Sequence, residues 1–186
     1  SSLYKKEKLL FPIFLENIIV LYKTGDKAII KQENNRAIYI FKGAKDLKEG
    51  FSYNIQVNQI YDFYGLKEIK DFNILKENSS FKNYKDLFLD GSKIDIFDFK
   101  YENEVITNLK GFITKGNLQI NGGKTIKLFA KDKNILPKDG STIEILNAQL
   151  GSFRGNMQII FHTKDDYKEL KWTKKVAKRI AKKVDY

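Results

Sequence analysis

The stretch EGFSYNIQVNQIYDFYGLKEI (Glu49–Ile69) decides how the chain reads, because DGSTIEILNAQLGSFRGNMQI (Asp139–Ile159) answers it without a gap. Six positions are identical: Gly50/Gly140, Ile55/Ile145, Gln59/Gln149, Phe63/Phe153, Gly65/Gly155 and Ile69/Ile159. Glu49/Asp139, Ser52/Thr142 and Ile60/Leu150 are conservative matches in the same register. Each copy reads as an acidic–Gly turn, a long strand, a tight turn at Gly and a short strand. A period of about ninety residues is too long for a solenoid unit and suits two small domains.

Working outward, the match continues. Arg36–Phe41 lies over Lys124–Phe129, Ala28–Ile30 over Leu118–Ile120, and Ile18–Lys23 over Gly111–Lys115. Two extra residues fall in the second copy's following loop, Ala130–Lys138. Apolar and polar residues alternate through these segments, which favours strands over helices. Each copy thus has five short strands with a variable loop between the third and fourth, the layout of an OB-fold.

On these strands and turns, with Gly-Gly-Lys-Thr-Ile-Lys-Leu-Phe (122–129) and Asp-Gly-Ser-Thr-Ile-Glu-Ile (139–145), the chain resembles tandem bacterial OB-fold nucleic-acid-binding modules. Such modules occur in exported nucleases and envelope proteins. The resemblance covers roughly 17–75 and 105–163 and rests on patterns of strand and turn. It implies a mainly β protein with two OB-fold-like five-stranded barrels in tandem.

The expected organisation is an N-terminal helical lead over 1–16 and a first OB-fold-like domain over 17–75. A structured connection with a hairpin at Asp90-Gly91 follows over 76–104, then a second OB-fold-like domain over 105–164. A basic amphipathic helix is expected over 165–186. Trp172, Val176, Ile180 and Val184 repeat every four residues there, with Lys and Arg around them. Pro12, Glu16 and Asn17 interrupt the apolar run Leu9–Tyr22, so the lead reads as a helix docked on the first barrel and not as a membrane span. The chain opens on Ser1, not Met, which reads as a removed N-terminus.

Composition sets bounds on function. The hydrophobic fraction of 42% and aromatic fraction of 13% over 186 residues describe a globular chain able to bury a core. There is no cysteine, which excludes a disulfide framework and thiolate metal sites. The compartment stays open between cytoplasm and bacterial envelope. The net charge is +11, but the segment from Lys168 onward holds eight basic residues against two acidic ones. More than half of the excess is therefore in the tail, where it could meet nucleic acid, a membrane surface or the barrel itself.

In an OB-fold the ligand crosses the second and third strands, between the loops after strands one and four. Aromatic faces there stack bases while basic side chains track the backbone. The third strands should turn Ile38, Ile40, Ile126 and Leu128 inward and Tyr39, Phe41, Lys127 and Phe129 outward. The loops after the fourth strands add Tyr61, Phe63 and Tyr64 in one copy and Phe153 and Arg154 in the other. Lys23, Lys27 and Lys31 flank the first site; Lys115 and Lys124 flank the second. The candidate nucleic-acid-binding set is Lys31, Tyr39, Phe41, Tyr61, Tyr64, Lys124, Lys127, Phe129 and Arg154, with Lys174, Lys175, Lys178 and Arg179 from the tail. Phe41/Phe129 and Phe63/Phe153 recur in both copies, as barrel-closing residues would, and exposed aromatics also suit contact between barrels.

Catalysis finds no constellation. His162 is the single histidine, and a nucleophile–base pair needs a positioned partner. Asp86, Asp90, Asp95 and Asp98 follow no cation-loop pattern, and Gly122-Gly123-Lys124-Thr125 lacks the spacing and the helix of a phosphate loop. The expectation is a non-catalytic binding protein without cofactor or metal, taking single-stranded DNA or RNA. The alternative is a protein-interaction or envelope-associated scaffold, the accessory part of a larger nuclease.

Overall fold

The run Ile18–Leu21 does not alternate in polarity because both of its faces are buried, one inside a barrel and one against its cover. It lies in β1 (Ile13–Thr24), which is followed by β2 (Lys27–Lys31), β3 (Ile38–Ile40), β4 (Phe51–Phe63) and β5 (Leu66–Ser80). These strands close in the order β1-β2-β3-β5-β4, an OB-fold-like barrel. All neighbours are antiparallel except β3 and β5. Ile18, Val20, Ala28, Ile30, Ile40, Ile55 and Ile69 fill the interior. Each fully buried aliphatic side chain contributes about 1.5–3 kcal/mol, so this cluster is what closes the barrel. The computed structural model describes residues 2–171.

The second half runs through β6 (Leu89–Asp90), β7 (Val105–Thr107), β8 (Leu109–Thr114), β9 (Asn117–Gln119), β10 (Thr125–Phe129), β11 (Thr142–Ile145), β12 (Ala148–Phe153), β13 (Asn156–Ile160) and β14 (Tyr167–Glu169). It forms a nine-stranded sheet in the order β14-β11-β8-β9-β10-β13-β12-β7-β6, so the two tandem barrels of the sequence reading become one barrel and one sheet. The physical reason is a break in the expected fourth strand. At Leu146 and Asn147 both backbone N–H groups donate to the Asp166 carbonyl, at 2.9 and 3.2 Å, and leave the ladder. On the N-terminal side of the break β11 pairs with β8 and β14; on the C-terminal side β12 pairs with β13 and β7. In the first half, β4 runs unbroken along β5, with register shifts where the second half has its break.

The helices expected at the ends are also corrected. Residues Ser2–Lys5 make a single 3-10 turn, and from Ile13 onward the lead is strand, with half-buried Ile13 and Leu15 alternating with exposed Phe14 and Glu16. At the other end, Lys164–Asp166 is a 3-10 turn with a capping box from Thr163, followed by β14. The remainder of the expected C-terminal helix, 172–186, lies outside the described residues. In the connection, β6 pairs in parallel with β7 where the sequence suggested a hairpin. Asp95 and Asp98 there accept backbone N–H bonds from Phe97 and Lys100 in local turns.

The β4–β5 and β12–β13 hairpins turn on the two-residue loops Tyr64-Gly65 and Arg154-Gly155, with φ of +50° and +101°, and +50° and +81°. Positive φ at both central residues is the twist-matched hairpin geometry. The parallel pairings also fall at matching places, Ile40 beside Ile69 and Leu128 beside Ile159.

One glycine is set by close approach. A Cβ on Gly111 in β8 would stand 2.5 Å from the Gln119 carbonyl oxygen and 2.7 Å from Leu118 Cδ1. Gly111→Ala is expected to push β8 from β9 and to destabilise the fold by about 1–3 kcal/mol. Urea denaturation reads this directly, and an unchanged midpoint would contradict it.

Candidate nucleic-acid interface

The tips of the two hairpins touch: the Arg154 N–H donates to the Tyr64 carbonyl at 2.8 Å. Around this contact the outward rings of β4, both turns and the end of β12 form a continuous ridge. Ring centroids step from Phe41 to Tyr61 (6.3 Å), Tyr61 to Phe63 (6.4 Å), and Phe63 to Phe153 (6.1 Å). Tyr64 stands edge-on to Phe63 at 5.0 Å and tilted to Phe153 at 5.0 Å. The Arg154 guanidinium lies over Tyr64 and Phe153, at 5.0 and 5.2 Å, and Lys42 Nζ lies 5.7 Å from the Phe41 ring. Tyr61, Phe63 and Tyr64 remain 45%, 41% and 52% exposed. Aromatic contacts of this kind contribute about 0.5–1.5 kcal/mol each, enough to hold the rings in register while leaving faces free.

The structure places the other candidates in three environments. Tyr39 and Lys31 are buried, at 7% and 9% exposure. Tyr39 does point out of the barrel, but that outer face is covered, and its ring meets His162 at 5.7 Å. Lys31 Nζ forms an ion pair with Glu104 at 2.9 Å. Burial removes both from any surface a ligand could reach. Lys127 and Phe129 are exposed along β10, where Ile126 and Leu128 point inward. Lys124 is exposed too, its Nζ 5.7 Å from the Phe97 ring. Lys174, Lys175, Lys178 and Arg179 lie outside the described residues. Phe63 and Phe153, read in the sequence as closure or inter-barrel residues, sit at the centre of the ridge, and Phe41 is half-buried at its end.

A buried polar seam joins the barrel to the sheet behind this ridge. His162 sits between Tyr22 and Tyr39, with Nε2 2.8 Å from Gln149 Oε1. Gln149 donates to Asn103 at 2.9 Å, and Asn103 donates to the Lys67 carbonyl at 2.8 Å. The Asp166 carboxylate accepts from the Tyr22 hydroxyl and from the His162 and Thr163 backbone N–H groups. Such a network fixes how the two halves dock, because the Tyr22–Asp166 and Asn103–Lys67 hydrogen bonds cross between them and are lost if they separate. Sequence reading missed it, since no spacing pattern links residues so far apart.

Burial, helped by Lys27, pushes the His162 pKa down to about 4, while burial and the Asp62 charge push Glu68 up to about 7. Folded His162 holds fewer protons than the unfolded chain between about 4 and 6.5, so its contribution is lost as pH falls through that window. Folded Glu68 holds more protons between 4.5 and about 7, so its contribution is lost as pH rises. The two oppose each other over their shared range. Glu68→Gln should therefore uncover the histidine: relative to the unsubstituted chain, its stability falls on acidification from pH 6.5 to 4.5, by on the order of 1–3 kcal/mol. Urea midpoints at successive pH values measure this. Parallel curves for the two proteins would refute it.

No family model and no curated protein matches the sequence. Several solved structures are similar to it at low identity. A murine DNA-binding protein bound with double-stranded DNA is 10% identical, with a TM-score of 0.44, covering 89% of this chain and 98% of that one. The p204 HINb domain is 12% identical, with a TM-score of 0.42 and coverage of 88% and 99%. The Ifi202 HINa domain in complex with 20-bp double-stranded DNA is 12% identical, with a TM-score of 0.39 and coverage of 88% and 96%. Likeness at this level assigns no function, which rests instead on the chain's own residues.

Proposed function

We propose that this chain is a non-catalytic binding protein for single-stranded nucleic acid, with bases stacking on the ridge of Tyr61, Phe63, Tyr64 and Phe153. The observation that carries this reading is a row of part-exposed rings crossing both hairpins, with Arg154 laid over two of them. Stacking of a base on an aromatic face contributes about 1–3 kcal/mol and tolerates any base, so binding should show little sequence preference. Net charge of +11 supports attraction to a polyanion. Lys127 and Phe129 on β10 offer a second, smaller patch of the same chemistry. We read 17–75 and 105–164 as one unit used twice; the matching X–Gly turns and parallel pairings support that reading.

Titrating labelled single strands and duplexes of equal length at several salt concentrations tests the proposal. Single strands should bind more tightly, and log K should fall linearly with log salt, by about 0.7 per phosphate neutralised. Absence of binding at low salt would overturn it. The second reading, a protein-interaction module, is favoured by Leu10, Phe11 and Phe14, which are strongly exposed on the N-terminal lead. It is the reading that remains if nucleic acid fails to bind.

A further inference from the structure

Beside the tip of the ridge hairpin a cleft of about 620 Å³ opens between the two halves, and five basic residues line it: Lys5, Lys6, Arg36, Lys67 and Lys100. They come from four separate places in the chain. Lys5 and Lys6 end and follow the first 3-10 turn, Arg36 precedes β3, Lys67 follows the Tyr64-Gly65 turn in β5, and Lys100 sits in the 3-10 turn Phe99–Tyr101.

Three carboxylates share the cleft, and two are already engaged. Asp62 accepts the Gly65 N–H at 2.7 Å and faces Lys67 Nζ at 4.0 Å. Glu102 is buried, accepts the Ser152 hydroxyl at 2.7 Å, and is pushed by desolvation toward its neutral form. Glu7 is the remaining exposed acid. The exposed Lys5, Lys6 and Lys100 keep donors to spare, although Lys100 Nζ also faces Asp98 at 3.6 Å. Lys67 is buried, at 7% exposure, and its Nζ donates to the Lys6 carbonyl at 2.6 Å, so it braces the cleft wall and adds positive charge behind it. The Arg36 guanidinium lies 3.5 Å over the Tyr4 ring and donates to the Phe99 carbonyl at 3.0 Å; its buried Nε–H has no partner among the described residues. Stacking on Tyr4 holds the planar fork in place, which suits two-point recognition of an oxyanion.

Asp62 and Gly65 line the cleft, and Phe63 and Tyr64, between them in the chain, belong to the ridge. Rings and cations therefore meet at one hairpin. We propose that the cleft is the phosphate-binding half of the interface, taking the backbone of the same single strand whose bases meet the ridge. This rests on the reading of the ridge as a base-stacking surface.

The test compares three forms of the whole chain on a labelled oligothymidylate across a salt series: unsubstituted, cleft-reversed (Lys5→Glu, Lys6→Glu, Lys100→Glu) and control-reversed (Lys131→Glu, Lys133→Glu, Lys138→Glu). All six lysines are exposed, and the second trio lies outside the cleft. The cleft-reversed chain should lose tenfold or more in affinity at low salt. Its slope of log K against log salt should flatten by about 0.7 for each phosphate contact removed. The control-reversed chain, with the same net charge, should change severalfold less, and both should keep the unsubstituted urea midpoint. Equal losses in the two variants, or an unchanged slope in the cleft variant, overturn the cleft while leaving the ridge intact. Failure of the unsubstituted chain to bind overturns both.

Discussion

Glu104→Ala is expected to cost about 3–5 kcal/mol of folding stability, the range for breaking a buried ion pair by removing one partner. The Glu104 carboxylate lies 2.9 Å from Lys31 Nζ, with the two side chains 4% and 10% exposed. It also accepts the Ala37 N–H at 3.1 Å, while the Glu104 carbonyl accepts the Leu150 N–H at 2.9 Å. One residue of the connection thus ties β2 and the entry to β3 to β12. Alanine leaves an ammonium buried without a counter-charge and a backbone donor without an acceptor. The double replacement Lys31→Met with Glu104→Leu should recover much of the loss, because it removes both charges together. Urea denaturation of the three proteins measures the difference. A loss below about 1 kcal/mol for Glu104→Ala would show that water reaches the pair.

The second large effect is on binding. Tyr61→Ala and Tyr64→Asn should each weaken single-strand affinity by about 1–3 kcal/mol, roughly fivefold to more than a hundredfold. Asparagine is the choice at 64 because φ is +50° there, a conformation asparagine adopts readily. Each lost ring contact should lower folding stability by about 0.5–1.5 kcal/mol, which leaves the chain folded, and the salt slope should stay that of the unsubstituted chain. Phe63 lies between the two rings, 6.4 and 5.0 Å from them, so the paired substitution need not be additive. Unchanged affinity in both variants would remove the ridge from the interface.

Much of the first barrel was legible in the chain. Ile38 and Ile40 could be placed inward from period-two alternation, and the Tyr64-Gly65 and Arg154-Gly155 turns from their glycines. The strand in the lead was not legible, because Ile13, Phe14 and Leu15 are all apolar; the alternation lies in their burial, with Ile13 and Leu15 half-buried and Phe14 exposed. Alternation assigns a side chain to a face without saying what covers that face. Tyr39 does point away from the barrel interior, yet Val105 and the connection residues Phe81, Tyr84 and Phe88 pack in the same outer cluster. Lys31 went wrong for the same reason: its partner Glu104 is seventy-three residues away. The open second sheet depended on Leu146 and Asn147 giving their N–H groups to Asp166, a tertiary contact with no local signal. Of the candidate surface, Tyr61, Tyr64 and Arg154 were chosen from their turns. That the two turns would meet and merge into one ridge was not written in either.

The most direct measurement is a comparison of two labelled single strands of equal length and charge, one carrying bases and one abasic throughout. Both present the same phosphates, so any difference in affinity belongs to the bases. Stacking on the ridge predicts that the base-bearing strand binds at least tenfold more tightly, that Tyr61→Ala with Tyr64→Asn narrows the gap, and that the two strands share one salt slope. Equal affinity for the two strands would show that phosphates alone are bound, and would contradict the base-stacking ridge.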